Sequence, residues 1–206
     1  MIPFKIQCII LLAFGFMLTG YSQATDSVKI NEIEAYRDSL NTEFQNPENS
    51  PLISEDFENF TGLDFFPIDL AYYLKAKFVR TPDQEPFKMA TTTAEYKVYE
   101  KYGEVHFELH DEEIVLNVYQ SHALRETEKY RNYLFLPFKD TTNGSETYGG
   151  GRYLELWIPD GDSITVDFNK AYNPYCVYNL KYSCPLVPKA NWMEVPVYAG
   201  VKDFKK

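Results

Sequence analysis

The spacing of apolar residues changes once along the chain and divides it in two. From Asp26 to Phe44 the apolar positions Ile33, Tyr36, Leu40 and Phe44 recur at three and four, with Glu32, Glu34, Arg37 and Asp38 between them; that period predicts an amphipathic helix. Asn46-Pro47 stops it. A short second helix is expected from Ser54, whose hydroxyl can cap, with Glu55 and Asp56 at the positive dipole end and Gly62 as its terminator. Beyond Gly62 the period drops to two. In DLAYYLKAKFVR, Leu70, Tyr72, Leu74, Ala76 and Phe78 share one face, and Tyr73, Lys75 and Lys77 take the other. EVHFELH and IVLNVYQ read as a hairpin around Asp111-Glu112-Glu113, with Val105, Phe107 and Leu109 inward. YLFLPF is a short apolar strand. RYLELWI and SITVDF are expected to pair around Pro159-Asp160-Gly161-Asp162, and EVPVYAG forms a last strand. Seven or eight hairpin-linked strands after a helical start predict a mainly β fold: an antiparallel sandwich or partly closed barrel with an N-terminal helix packed on it.

The N-terminus carries a different pattern. Lys5, an apolar run from Ile6 to Leu18 and the small-x-small triplet Ser22-Gln23-Ala24 read as an export signal over residues 1–24. The run is shorter than the ~20 residues of a membrane span, and no other segment approaches one. Tyr21 stands where a lipoprotein anchor needs cysteine, and Cys8 leaves with the signal. The expected product is residues 25–206, one domain, periplasmic or secreted.

Charge narrows the partners. Twenty basic residues face 30 acidic ones; removing the signal removes Lys5 alone, so 19 against 30 leaves −11. Such a field repels a phosphate backbone and an anionic lipid surface, which disfavours nucleic acid and membrane as partners.

Two polar loops are the candidate chemistry. In KDTTNGSETYGGGRYLEL, four glycines fall between Gly144 and Gly151. Gly149, Gly150 and Gly151 before Arg152 can present successive N–H groups to an anion, with Asp140, Thr141, Glu146 and Tyr148 as polar neighbours. The bland alternative is a bulged loop in which Arg152 pairs with Asp140 or Glu146. No nucleotide motif fits, since Gly-Lys-Ser/Thr is absent and a strand follows. In DFNKAYNPYCVYNLKYSC, Phe168 should face the core, leaving Asp167 and Asn169 together on the opposite face, with Tyr172, Asn173 and three further tyrosines beyond. Carboxylates, amides and flat rings suit a small polar or carbohydrate-like ligand; packing over a thin sheet edge is the alternative. If the loops meet at one rim, Asp140, Glu146 or Asp167 are the acid and base of a hydrolase, glycosidase-like in its carboxylate pair. A structural cell-envelope protein is the third reading, and catalysis stays open.

Long stretches of the chain are similar to one bacterial family. FTGLDFFPIDLAYYLKAKF, LFLPFKDTTNGSETYGGGRYL, DFNKAYNPYCVY and CPLVPKANW resemble the successive signatures of domain of unknown function 1684, from about residue 34 to residue 200. The resemblance implies no assigned activity. Val187 and Ala190 stand where the family pattern has proline and glutamate, and Val201 where it has glutamate, so no role for those two acids carries over.

Cys176 and Cys184 are the cysteines left after cleavage. Outside the cytoplasm such a pair reads first as a disulfide and next as buried thiols. Their spacing and the lack of a nearby histidine disfavour zinc, and DTTNGSE lacks the order of a helix–loop–helix calcium site; neither metal nor cofactor is expected. His106 and His110 share a strand face but lie ~13 Å apart. His122 sits in a loop without an evident partner.

Overall fold

A computed structural model describes residues 26–205. The expected signal and Cys8 lie outside the described residues. Residues 26–45 form helix α1, with Ile33 and Phe44 buried, Tyr36 and Leu40 half-buried, and Glu32, Glu34 and Asp38 in solvent. The apolar stripe is thus the packed face. Helix α2 is short, Ser54–Glu58; Ser54 is its first residue rather than its cap, and Ile53 occupies the cap position without a side-chain bond.

Seven strands follow: β1 (Tyr73–Arg80), β2 (Phe87–Ala90), β3 (Tyr96–Leu109), β4 (Glu112–Ser121), β5 (Tyr133–Phe138), β6 (Arg152–Trp157) and β7 (Ser163–Asp167). All ladders are antiparallel, in the order β6-β5-β4-β3-β1-β7, with β2 paired to the first part of β3. The β3–β4 turn falls at His110 and Asp111, both at positive φ (54° and 62°). That is one residue earlier than the acidic run suggests, because Leu109 pairs with Glu112 and two left-handed residues suit a two-residue hairpin.

β6 and β7 do not pair, contrary to the expectation from the turn at Pro159. β6 pairs with β5 and β7 with β1, so they are the two edges of the sheet. The connection from Trp157 to Ser163 nevertheless joins these edges, and six residue steps reach at most about 20 Å. The sheet must therefore curl until its edges approach, and a half-barrel results. Helix α1 covers the seam: Tyr36 lines one cavity together with Leu154–Trp157 of β6 and Thr165 and Asp167 of β7.

The concave face holds the main core, including Val105, Leu116, Val118, Leu134, Leu136, Phe138, Val166 and Phe168. The expected last strand keeps its alternation, with Val195, Val197, Ala199 and Val201 buried and Tyr198 exposed. It joins no ladder: side chains of Arg152, Asp140 and Tyr72 meet part of its backbone, and single backbone bonds from scattered segments meet the rest.

Candidate functional site

Arg152 occupies the centre of the first polar loop, and its guanidinium is fully buried. Nη2 donates to Asp140 Oδ2 at 2.9 Å and to the Val197 carbonyl at 2.8 Å, and Nη1 donates to the carbonyls of Ala199 and Val201. Asp140 Oδ1 accepts from Thr142 N, Thr142 Oγ1 and Val197 N. Burial pulls the guanidinium pKa down, and the Asp140 charge opposes this. Arg152 thus pairs with Asp140, as the bland alternative expects, and fastens the C-terminal segment; both Nη groups are engaged inside the protein rather than presented to an anion, and the buried Nε has no hydrogen-bond partner. Buried backbone carbonyls need donors, and one guanidinium supplies them for three.

The rest of that loop serves the same end. Gly151 (φ +96°) lies so close to Phe138 that an added Cβ would stand 2.6 Å from its carbonyl oxygen, and at Gly150 it would stand 2.3 Å from the Tyr148 ring. Glu146 and Thr141 are exposed, and Thr141 N donates to the Val195 carbonyl. Gly149 has no close neighbour beyond the Gly144 backbone.

In the second loop, Phe168 is buried as expected, but Phe168–Lys170 is a tight helical turn. Asn169 is therefore folded back and buried, in direct contact with Asp167: Oδ1 of Asp167 accepts from Asn169 N at 3.1 Å and Nδ2 at 2.9 Å. Asn169 also brackets Asp69, accepting from its N–H and donating to its carbonyl. Asn173 donates to the Lys202 carbonyl.

Both loops do reach one end of the sheet, with residues 197–203 threaded between them. Val201 N donates to the Ala171 carbonyl and Asp203 N to that of Glu146. The loops are stitched together through this segment, and Arg152 and Asn169 are both fully buried.

An open cleft lies instead along the barrel seam. Two cavities of about 220 and 340 Å³ share Tyr36 and Glu155. Glu43, Tyr172 and Tyr175 line the first; Tyr73, Trp157, Asp167 and Lys170 line the second. Of the residues picked from sequence as ligand contacts, Asp167 and Tyr172 are brought here. Tyr175 donates to Glu43. Glu155 keeps an exposed face in the seam, but crowding by the surrounding seam atoms pushes its carboxyl up, the negative charge of Glu43 adds to this, and a hydrogen bond from Tyr172 opposes it. Asp167 is likewise raised, by burial first, and its Oδ2 has no hydrogen-bond partner, with Lys170 Nζ at 3.9 Å. Sequence reading missed Tyr36, Glu43, Glu155 and Trp157. The available signal was Glu155, a carboxylate on the outward face of an edge strand.

Cys176 and Cys184 are buried free thiols, so the disulfide reading gives way to the second one. Cys176 N donates to Cys184 Sγ at 3.2 Å. Hydrogen bonding with the Cys184 thiol, against the opposing effect of burial, lowers the pKa of the Cys176 thiol. His122, expected to be unpartnered, meets Glu100 at 2.9 Å because the loop folds back on β3; His106 meets Glu104 at 2.9 Å and His110 meets Tyr72 at 3.2 Å. No group of three or more His, Cys, Asp or Glu among the described residues is placed to hold a metal ion. No helix among them is long and apolar enough to cross a membrane.

A family model described as protein of unknown function (DUF1684) matches residues 58–202, and the chain belongs to that family. The match starts after α1, later than the residue 34 expected. A solution NMR structure of an uncharacterised protein of Haloarcula marismortui is similar at 34% identity, with a TM-score of 0.68, over 87% of this chain and 96% of that one. No curated protein matches.

Proposed function

We propose, with membership of that family as the premise, that this chain is an exported binding module that takes a small polyhydroxylated, carbohydrate-like ligand into the seam cleft. One observation carries the reading: the joint lining of the two cavities by five aromatic rings and the carboxylates Glu43, Glu155 and Asp167. Rings offer flat apolar faces to a sugar, and carboxylates accept from its hydroxyls. An anionic ligand is disfavoured by the same acids and by the net charge of −10. The cavity volumes, about 220 and 340 Å³, bracket the ~300 Å³ at which small-molecule sites begin. Export rests on the N-terminal pattern of residues 1–24.

A hydrolase is the second reading, favoured by the raised Glu155 beside Glu43. A carboxyl whose pKa is raised beside a second carboxylate is how a general acid is set up for glycoside cleavage.

The test is a thermal-shift screen of neutral sugars and polyols, with Trp157→Ala and Tyr175→Phe alongside. A ligand at 100 times its Kd stabilises by about 2.7 kcal/mol, which for this chain length is a shift of roughly 5–10 °C. Loss of the shift in Trp157→Ala supports the site. Absence of any shift, or a shift untouched in both variants, overturns it and leaves the structural envelope reading. Cleavage of an aryl glycoside that is lost in Glu155→Gln while binding persists decides for the hydrolase.

A further inference from the structure

We propose that a split in the sheet beside β4 accepts an extended, basic peptide segment as an added strand. β4 pairs with β3 along its length but meets β5 only at Tyr119 and Phe135. Pro137 explains part of this, because it has no N–H to give to a ladder. After Phe138, residues 191–195 take the place beside the chain that continues β5: Lys139 N donates to the Asn191 carbonyl, Met193 N to that of Lys139, and Thr141 N to that of Val195. This wedge turns its bonds away from β4. Only the Asn191 side chain reaches across, accepting from Asn117 N at 2.9 Å and donating to the Asn117 carbonyl at 2.8 Å.

The next residues of β4 have no such partner. With Leu109 and Glu112 closing the hairpin, alternation directs the backbone groups of Glu112, Ile114 and Leu116 to β3, and those of Glu113, Val115 and Asn117 away from it. The Asn117 bonds to Asn191 agree with that phase. The N–H and C=O groups of Glu113 and Val115 bond to no described residue. They border a cavity of about 360 Å³ lined by residues 112–116 of β4 and 192–195 of the wedge.

Two features say what fits. Unpaired strand groups are met by an extended main chain, and the Asn191 amide already fills one such position. The lining holds Glu112, Glu113 and Glu194 and no lysine or arginine, so the incoming segment is basic. Lys139 stacks over Trp192 at 4.9 Å, outside the lining. A second copy of this chain, at −10, is repelled. Val115 and Trp192, about half exposed, offer apolar contacts to alternate side chains of a strand. This surface shares no lining residue with the seam cleft, so either proposal can fail alone.

The test titrates a blocked hexapeptide of alternating lysine and valine into the protein, followed by tryptophan fluorescence and by amide exchange at Glu113 and Val115. Saturable binding with slowed exchange at both amides is expected. N-methylation of alternate peptide nitrogens should weaken binding roughly tenfold or more, through lost ladder hydrogen bonds. Glu113→Lys with Glu194→Lys should abolish it. Binding unchanged by N-methylation, equal binding of the glutamate–valine peptide, or no binding at all overturns the proposal. The N-methyl comparison uses the unaltered protein, so it decides even if the double variant misfolds.

Discussion

Arg152 Nη2 donates to Asp140 Oδ2 at 2.9 Å, and neither side chain has any exposure to solvent. The pair is the hub on which residues 197–201 hang, in place of the ladder their alternating pattern leads one to expect. Breaking a buried pair from one side leaves the other charge uncompensated, at a cost of about 3–5 kcal/mol. Arg152→Met and Asp140→Asn should each lower the melting temperature by roughly 6–20 °C, and the double variant should lose less than the sum of the two. Differential scanning calorimetry of the three variants checks this; additive losses would show that the two side chains act separately.

Asn191 is the second such bridge. It is fully buried, and its amide meets both backbone groups of Asn117 and the Pro137 carbonyl at 2.7 Å. Asn191→Ala strands three backbone groups, each costing ~1–3 kcal/mol if it stays dry. Asn191→Asp should be worse, since a carboxylate donates nothing and faces two carbonyl oxygens. Urea denaturation of both variants gives the order, and equal midpoints for the Asp and Ala variants would contradict it.

What the sequence made legible follows from period. The stripe of α1 and the alternation of β6, β7 and β1 are local and appear where the pattern puts them, except that Leu70–Tyr72, read as the start of β1, form a 3-10 turn capped by Asp69. Partners are not local. SITVDF follows RYLELWI across a strong turn, so the pair reads as a hairpin; the curl of the whole sheet assigns their edges elsewhere. Phe87–Ala90 escaped because four residues with one buried apolar position, Met89, carry too little period. Arg152 looked like a ligand contact because sequence shows a cation beside glycines. It does not show the three carbonyls, 45 to 49 residues downstream, that the guanidinium serves.

Glycine substitutions separate turning from ligand cradling. At Gly200 (φ +75°) a Cβ would stand 2.7 Å from the Ala171 and Phe168 carbonyl oxygens, whereas Gly161 has nothing within 4 Å. Gly200→Ala and Gly151→Ala should each destabilise by more than the ~1 kcal/mol of a simple glycine replacement. Gly149→Ala and Gly161→Ala should stay within about 0.5 kcal/mol of the parent. Thermal melts of the four variants test the contrast, and a loss at Gly149 as large as at Gly151 would return the loop to a ligand-cradling role.

Glu155 should make stability depend on pH in a direction opposite to that of an ordinary paired carboxylate. Crowding by the seam, and then the charge of Glu43, raise its carboxyl above the usual value of 4.5, and the exposed face of the residue lets solvent screen part of that rise. In the window between the unfolded and folded values, the native state holds more protons than the unfolded chain, so stability falls as pH rises. Above the folded value the loss is complete and the curve is level with respect to this group. Glu155→Gln carries no such penalty. Its melting temperature should match that of the parent on the acid side of the window and exceed it at neutral pH, with the two curves separating as pH increases. Glu43→Gln removes the second cause and should shrink the separation. Tyr172→Phe removes the hydrogen bond that favours the charged form and should widen it. Parallel melting curves for parent and Glu155→Gln would mean that solvent at the exposed face cancels the rise, and the seam would then lack the raised carboxyl on which the hydrolase reading depends.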